Sequence, residues 1–321
     1  MKHLVLVGAC YLDTILSVPH FPEEDAKLRA TNLETRRGGN CPNSLDVLQQ
    51  LVRDGDDVCM HLISCLPNKT SAAAQRVVES FGTDTNIDFE HCIYRNEESE
   101  AASSYIFRNL QTGSRTIVNY NGLPEMTIDE FASIVPHFNP DEESWWHFEG
   151  RIPPTTLECM RLLRQTLPRA KISVEVEKPG REGLLKLAAE ADVVFYSRTW
   201  AETRGHKTAE SCLRNEARGR ASLSLCPWGA GGASALSHET DSYFDCPVKQ
   251  EPKDVTVVDA VGAGDTFIAG MLYGLICRNT KWDIQRCLRF AVNLATLKVQ
   301  REGFRGLGND TTTMRTEEEA P

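Results

Sequence analysis

The chain has 321 residues, 41% hydrophobic and 25% charged, ordinary for a soluble globular protein large enough to bury an enzyme core. Its formal net charge of −10 argues against nucleic acid or an anionic membrane as the main partner, and no apolar run reaches the ~18 residues of a membrane span. The 11 cysteines are odd in number, form no C-x-x-C pair and show no ligand spacing of a structural zinc site, so they are expected as reduced thiols of a cytoplasmic protein.

Leu4 to Val7 is a continuous apolar run ending at Gly8, the pattern of a buried parallel strand, and Asp13 follows shortly after its carboxyl end. Residues 27 to 37 are polar and alternating. Gly38-Gly39-Asn40 interrupts them, and Pro42 with Leu45, Leu48, Leu51 and Val52 predicts a helix. Cys59 to Leu66 is expected as a second buried strand and Ala72 to Phe81 as a helix. Ser104 to Phe107 and Thr116 to Tyr120 flank Gln111-Thr112-Gly113-Ser114, which predicts a hairpin with a glycine turn.

Strand and helix then alternate. Strands are expected at 145–149, 172–176, 193–196, 222–226 and 255–258, and helices at 157–167, 184–189, 266–278 and 283–300. This order implies a parallel sheet with helices on both faces. Gly308 to Pro321 is polar, carries Glu317-Glu318-Glu319 and is expected as a disordered tail.

Chemistry concentrates at Gly262-Ala263-Gly264-Asp265. Small residues let backbone N–H groups approach a ligand, and a helix start favours negative charge. Such fixed donors suit a phosphoryl group in flight, and Asp265 could take the proton of an attacking hydroxyl. Equally, Asp is a favoured N-cap, which would leave Asp265 structural. A P-loop motif and the protein-kinase set are both absent from the sequence.

Asn40 and Asn43 stand three apart at another helix start, so both amides project on one side and could serve hydroxyls of a polyol, with Asp13 as acceptor. The alternative is that Asn40 caps its helix and Asn43 is solvated.

Gly-Gly-Asn-x-x-Asn early and Gly-Ala-Gly-Asp late, across residues 2 to 307, together resemble the ribokinase-like (PfkB) carbohydrate kinase family. The ketohexose-phosphorylating branch is the nearest likeness, through Phe21 to Asp25, Arg37 to Asn40, Arg115 to Val118, Leu123-Pro124, His147 to Arg151, Val174 to Pro179 and Asp192 to Phe195. The resemblance implies an α/β, ribokinase-like doubly wound and mostly parallel sheet within a single kinase domain over 1–307. A small β-sheet lid from about 9–37 and 101–120 would clasp a second copy into a homodimer.

It further implies Asp265 as base with Gly262, Ala263 and Gly264 as anion hole. Asp13, Gly39, Asn40 and Asn43 would hold the sugar, and Asp25 would reach the partner's sugar. Arg115 and Gly229, Ala230, Gly231 and Gly232 would contact ATP. ATP and Mg2+ are the implied cofactors, with a monovalent cation as a further expectation.

Three departures stand out. The family's Asn-x-x-Glu is not evident, leaving Glu175 and Glu177 to serve magnesium through water. Ala260 replaces the usual Ser, Thr or Pro, and Cys41-Pro42 replaces small residues. A kinase of ribose, another sugar or a nucleoside, and a binding protein without turnover, therefore stay open as alternatives.

Overall fold

The computed structural model describes residues 1–217, 219–249 and 255–311. In chain order the first half contains β1 (Lys2–Val7), β2 (Tyr11–Val18), β3 (Asn32–Gly38), α1 (Asn40–Leu51), β4 (Val58–Ile63), β5 (Cys65–Pro67), α2 (Ala72–Glu79), β6 (Ile87–Asp88), β7 (Ile93–Arg95), β8 (Ala102–Asn109), β9 (Arg115–Tyr120) and α3 (Ile128–Ile134). There follow β10 (Glu143–Phe148), α4 (Pro153–Thr166), β11 (Ala170–Val176), α5 (Leu184–Glu190), β12 (Val193–Tyr196), α6 (Arg198–Thr203), α7 (Ala209–Asn215), β13 (Leu223–Pro227), β14 (Ala233–Ser237), β15 (Ser242–Cys246), α8 (Ala263–Cys277) and α9 (Ile284–Val299).

Nine strands form one sheet in the order β15-β14-β13-β12-β11-β10-β1-β4-β6. The strands from β6 to β13 pair in parallel, and β14 and β15 close one edge antiparallel. Each face has its own core. Leu45, Leu48, Phe267, Met271, Phe290 and Leu294 of α1, α8 and α9 fill one. Phe131, Met160, Leu163, Leu187 and Leu213 of α3, α4, α5 and α7 fill the other. The helix α8 is apolar nearly all round because it lies within its core, where a β-carbon on Gly270 would come 2.8 Å from the backbone of Ala291 on α9.

A separate four-stranded sheet, β3-β2-β8-β9, stands over the carboxyl ends of the large sheet's strands. Its inner face carries Asp13, Ser104, Arg115 and Asn119, which line the central cavity. Its outer face carries Leu33, Tyr105, Val118 and Tyr120, all exposed. The α/β class, the parallel sheet, the helical layers and the small sheet agree with the expectation from sequence.

Several expected elements differ. Cys59 to Leu66 is two strands in two sheets, because the chain turns after Ile63 and Cys65 pairs with Ile93 instead. The stretch from Val255 to Val258 is no strand: Val257 and Val258 are 61% and 49% exposed, and Val258 N–H donates to the end of α9. The predicted tail begins too early. Leu307 and Thr311 are fully buried, and residues 307–311 form a helical turn packed on Gln50. The remainder, 312–321, lies outside the described residues.

Candidate active site

A cavity of about 1140 Å³ opens between the small sheet and the carboxyl ends of β10, β11, β12 and β13, the usual ligand position of open α/β sheets. Two helix starts face it. Both are capped by glycines with positive φ, 107° at Gly39 before α1 and 77° at Gly262 before α8, and neither cap makes a side-chain hydrogen bond. Glycine is required at both. A β-carbon at Gly39 would lie 2.1 Å from the carbonyl oxygen of Ala9, and one at Gly262 would lie 2.3 Å from the Phe304 ring.

With Gly262 as cap, Asp265 is the third residue of α8, so the structural alternative of an Asp265 N-cap does not hold. Its Oδ2 accepts from Asn43 Nδ2 at 2.8 Å, and its carbonyl accepts from Ser44 Oγ at 3.0 Å. The Asn43 Oδ1 accepts in turn from Arg37 Nη1 at 3.0 Å, and Arg37 Nη2 donates to Asp46 at 2.7 Å. Asn43 is therefore a buried bridge between a cation and the Asp265 carboxylate, not a solvated first-turn residue.

Asn40, the first residue of α1, donates from one amide nitrogen to Glu175 Oε2 at 2.7 Å and Glu177 Oε2 at 3.0 Å. The two amides expected side by side thus divide, one towards Asp265 and one towards the glutamates. Asn40 does not cap its helix either, since Gly39 holds that position.

Behind Glu175 runs a line from Trp145 Nε1, which donates to Ser173 Oγ at 2.8 Å, to His147 Nδ1 at 2.9 Å, and from His147 Nε2 to Glu175 Oε1 at 3.2 Å. Burial drives the His147 imidazole down to about 3, so it is neutral, and its Nε2–H donates to the glutamate.

Carboxylates crowd the cavity floor. Burial pushes Asp265 and Glu175 well above the ordinary range, and neighbouring glutamates push further in the same direction. Burial likewise raises Glu149, whose Oε2 accepts from Ala9 N–H at 2.9 Å. Two glutamates sharing one amide donor beside further carboxylates, with Lys178 as the nearby cation, is a donor set that fits a hard divalent ion such as Mg2+.

Asp13 reaches in from β2. Burial raises it, the Ser104 hydroxyl opposes that, and its Oδ1 is buried with no partner among the described residues. An unpaired buried carboxylate oxygen is costly, and a ligand hydroxyl would satisfy it.

Ahead of the Gly262–Gly264 segment, Asp259 holds Val261 N–H at 3.0 Å and receives Lys298 Nζ at 2.8 Å on Oδ2, while its carbonyl receives the same ammonium at 2.9 Å. Burial would raise Asp259, but the hydrogen bonds from Lys298 and Val261 and the charges of Lys298 and Arg36 together outweigh it and hold the carboxyl below its usual range.

Arg115 lines the cavity from β9. The segment Gly229 to Gly232 follows β13, whose last residue, Pro227, lines the cavity; the glycines themselves lie beyond it. Asp25 is exposed, has φ of 59° and stands outside the cavity of its own chain. Sequence reasoning did not assign Arg37, Ser44, His147, Glu149, Asp259 or Lys298 a role. Arg37 abuts the Gly-Gly-Asn motif and His147 and Glu149 end a strand, which were the available signals.

An α/β fold with a small covering sheet thus sets one aspartate at a glycine-started helix opposite a second aspartate and two amides, an arrangement compatible with phosphoryl transfer to a small molecule. The model of the family described as "pfkB family carbohydrate kinase" matches residues 1–311, and the chain belongs to that family. It is 31% identical over 316 residues to ketohexokinase of Mus musculus, covering 95% of this chain and 99% of that protein.

Among solved structures it is similar to ribokinase from Giardia lamblia, with a TM-score of 0.78 at 15% identity over 98% of this chain and 99% of that one. It is similar also to Arabidopsis thaliana ribokinase complexed with ribose and ATP, with a TM-score of 0.73 at 19% identity over 94% and 93%. These two likenesses speak for the fold.

Proposed function

We propose that this carbohydrate kinase transfers the γ-phosphoryl group of ATP to a primary hydroxyl of a ketohexose such as D-fructose, giving fructose 1-phosphate. The observation that carries the reading is the Asp265 carboxylate, held by Asn43 in the first turn of α8 and facing the cavity that Asp13 enters from the small sheet. The 31% identity to mouse ketohexokinase supports the choice of acceptor.

Asp13, Gly39 and Asn40 bind the sugar, and Asp13 Oδ1 accepts from a hydroxyl. Asp265 accepts the proton of the attacking hydroxyl as it approaches the γ-phosphorus in line. The amides of Gly262, Ala263 and Gly264, lacking intrahelical partners at the start of α8, hold the oxygens on which charge develops. Arg115 meets the ATP phosphates, and Gly229 to Gly232 the nucleotide. Glu175 and Glu177 would hold magnesium through water, and the ion would supply neutralisation of the phosphate charge.

The exposed apolar face of the small sheet, Leu33, Tyr105, Val118 and Tyr120, supports a homodimer through the lid, with Asp25 directed to the partner's site.

The test is ADP release from purified protein with Mg-ATP and a panel of fructose, tagatose, ribose, glucose and nucleosides. Turnover is expected to be highest with a ketohexose. Preference for ribose or a nucleoside would replace the acceptor, and no sugar-dependent turnover with any of them would remove the kinase reading itself.

A further inference from the structure

Four of the eight histidines meet far from the cavity: His3 on β1, His61 on β4, His91 after β6 and His137 after α3. Their rings stack in series, His3 to His61 at 5.2 Å, His61 to His91 at 5.9 Å and His91 to His137 at 5.1 Å, around the edge of Phe138. Neither the proposed reaction nor the core needs this assembly.

A line of polar contacts runs through it. Glu142 Oε2 lies 3.2 Å from His3 Nε2, His3 Nδ1 lies 3.0 Å from His61 Nε2, and His61 Nδ1 lies 2.9 Å from Asp88 Oδ2. Each contact needs one proton. Two neutral imidazoles bring two and ionised carboxylates none, so the line is one positive charge short of complete.

A third proton would complete it. So would a divalent cation in place of the proton between His61 Nδ1 and Asp88. His61 Nε2–H would then donate to His3 Nδ1, and His3 Nε2–H to Glu142, leaving both rings neutral and every contact made. The charge also closes, since the two end carboxylates balance a dication. His91 decides between these. It brings a ring nitrogen into a set with His61 and Asp88 whose ligand atoms all lie within 4.8 Å of one another. A proton shared along the line has no use for that nitrogen, whereas a metal does.

We propose that His61, Asp88 and His91 form a binding site for a divalent transition-metal ion of the zinc type, with His3 and Glu142 orienting His61 from behind. Mixed imidazole and carboxylate donors suit such an ion, and a hydrogen-bonded outer partner on a ligating histidine is the usual support. For ligand bonds of about 2.0–2.2 Å, His61 Nδ1 and Asp88 Oδ2, 2.9 Å apart, open slightly to admit the ion, while the His91 nitrogen must draw in. His91, partly exposed in a turn, has the freedom to do so. Water or His137 completes the coordination. The ligands come from separate strands and a turn, with His61 and Asp88 separated by 27 positions, so no sequence spacing announces them. The proposal stands whether or not the acceptor sugar is the one proposed above.

The test uses the full chain, stripped with a chelator and titrated with zinc and with cobalt(II). One tight equivalent is expected, with cobalt absorbing in the visible and without thiolate charge transfer in the near ultraviolet. That spectrum separates this site from the other candidate clusters, Cys41–His147–Glu175 and His206–Cys212–Glu216, which both contain a thiol.

His91→Ala is expected to weaken the binding at least about a hundredfold, and Glu142→Gln roughly tenfold through the outer hydrogen bond, with sugar-kinase turnover unchanged in His91→Ala. No stoichiometric binding, thiolate charge transfer in the bound cobalt, or affinity unaltered by His91→Ala would each overturn the site.

Discussion

The starts of α1 and α8 are built alike and put to opposite use. Both are glycine-capped with positive φ, and both present a first turn to the same cavity. At α1 the first-turn side chains are amides that donate outward, Asn40 to Glu175 and Glu177 and Asn43 to Asp265. At α8 the first turn carries the acceptor, Asp265, among residues too small to cover the backbone amides. One helix start arranges acids through its side chains; the other leaves its backbone amides uncovered, as the proposed anion hole requires. The field of a helix terminus sets what can bind, but the first-turn side chains decide whether the site holds a charge or is held by one.

The comparison breaks first at Asp265. Under the proposed reaction, Asp265→Asn keeps the Asn43 neighbourhood and the size of the side chain but removes the base. Turnover should fall by a factor of ~10² or more, with sugar and ATP binding close to intact. Steady-state kinetics beside calorimetric titration of each ligand check this. Normal turnover in Asp265→Asn would make α8 a binding site alone.

The two caps differ in what surrounds them, which sharpens the comparison. An alanine β-carbon at position 39 meets the backbone oxygen of Ala9, which cannot move without moving the strand connection, whereas at position 262 it meets the Phe304 ring. Both changes carry the strain of a non-glycine residue at positive φ, on the order of 1–3 kcal/mol. Gly39→Ala should be the more destabilising of the two in urea unfolding. Phe304→Ala should recover part of the loss in Gly262→Ala, because a ring can be removed and a backbone carbonyl cannot. Equal losses with no recovery would mean that φ alone sets the requirement.

Much of the frame was legible because buried parallel strands are apolar on both faces: Leu4 to Val7 and Val193 to Tyr196 announce themselves as continuous runs. The antiparallel edge was not. β14 is Ala-Ser-Ala-Leu-Ser, wholly buried yet built of small residues with no alternation to read. Val257 and Val258 erred the other way, an apolar run left exposed beside α9 because the large sheet already ends at β15.

At the site, the glycine motifs gave away both helix starts, and types alone nominated Asp13, Asn40, Asn43 and Asp265. The pairings could not be read. Asn43 and Asp265 are separated by 222 positions, Asn40 and Glu175 by 135, and only the sheet order brings them together. The side of α1 on which each amide acts is likewise a product of packing, since a three-residue spacing alone predicts one shared target.

The smallest effect concerns how the α1 amide tunes the α8 acid. Burial raises Asp265 and the neighbouring glutamates add to this, while the Asn43 hydrogen bond favours the charged form and acts against both. A base must be deprotonated to act, so kcat/KM should fall as pH drops through the Asp265 pKa. Asn43→Ala removes that opposing hydrogen bond and pushes the Asp265 pKa further up, so the acidic limb of the profile should move to higher pH. At neutral pH the rate should drop by roughly tenfold, about the worth of one hydrogen bond to a charged group. Well above the limb, the variant should approach the parent, because there the carboxylate is ionised in both. A uniform loss across the whole pH range, with the limb unmoved, would show that Asn43 positions Asp265 without setting its protonation, and that the α1 start acts on α8 through geometry alone.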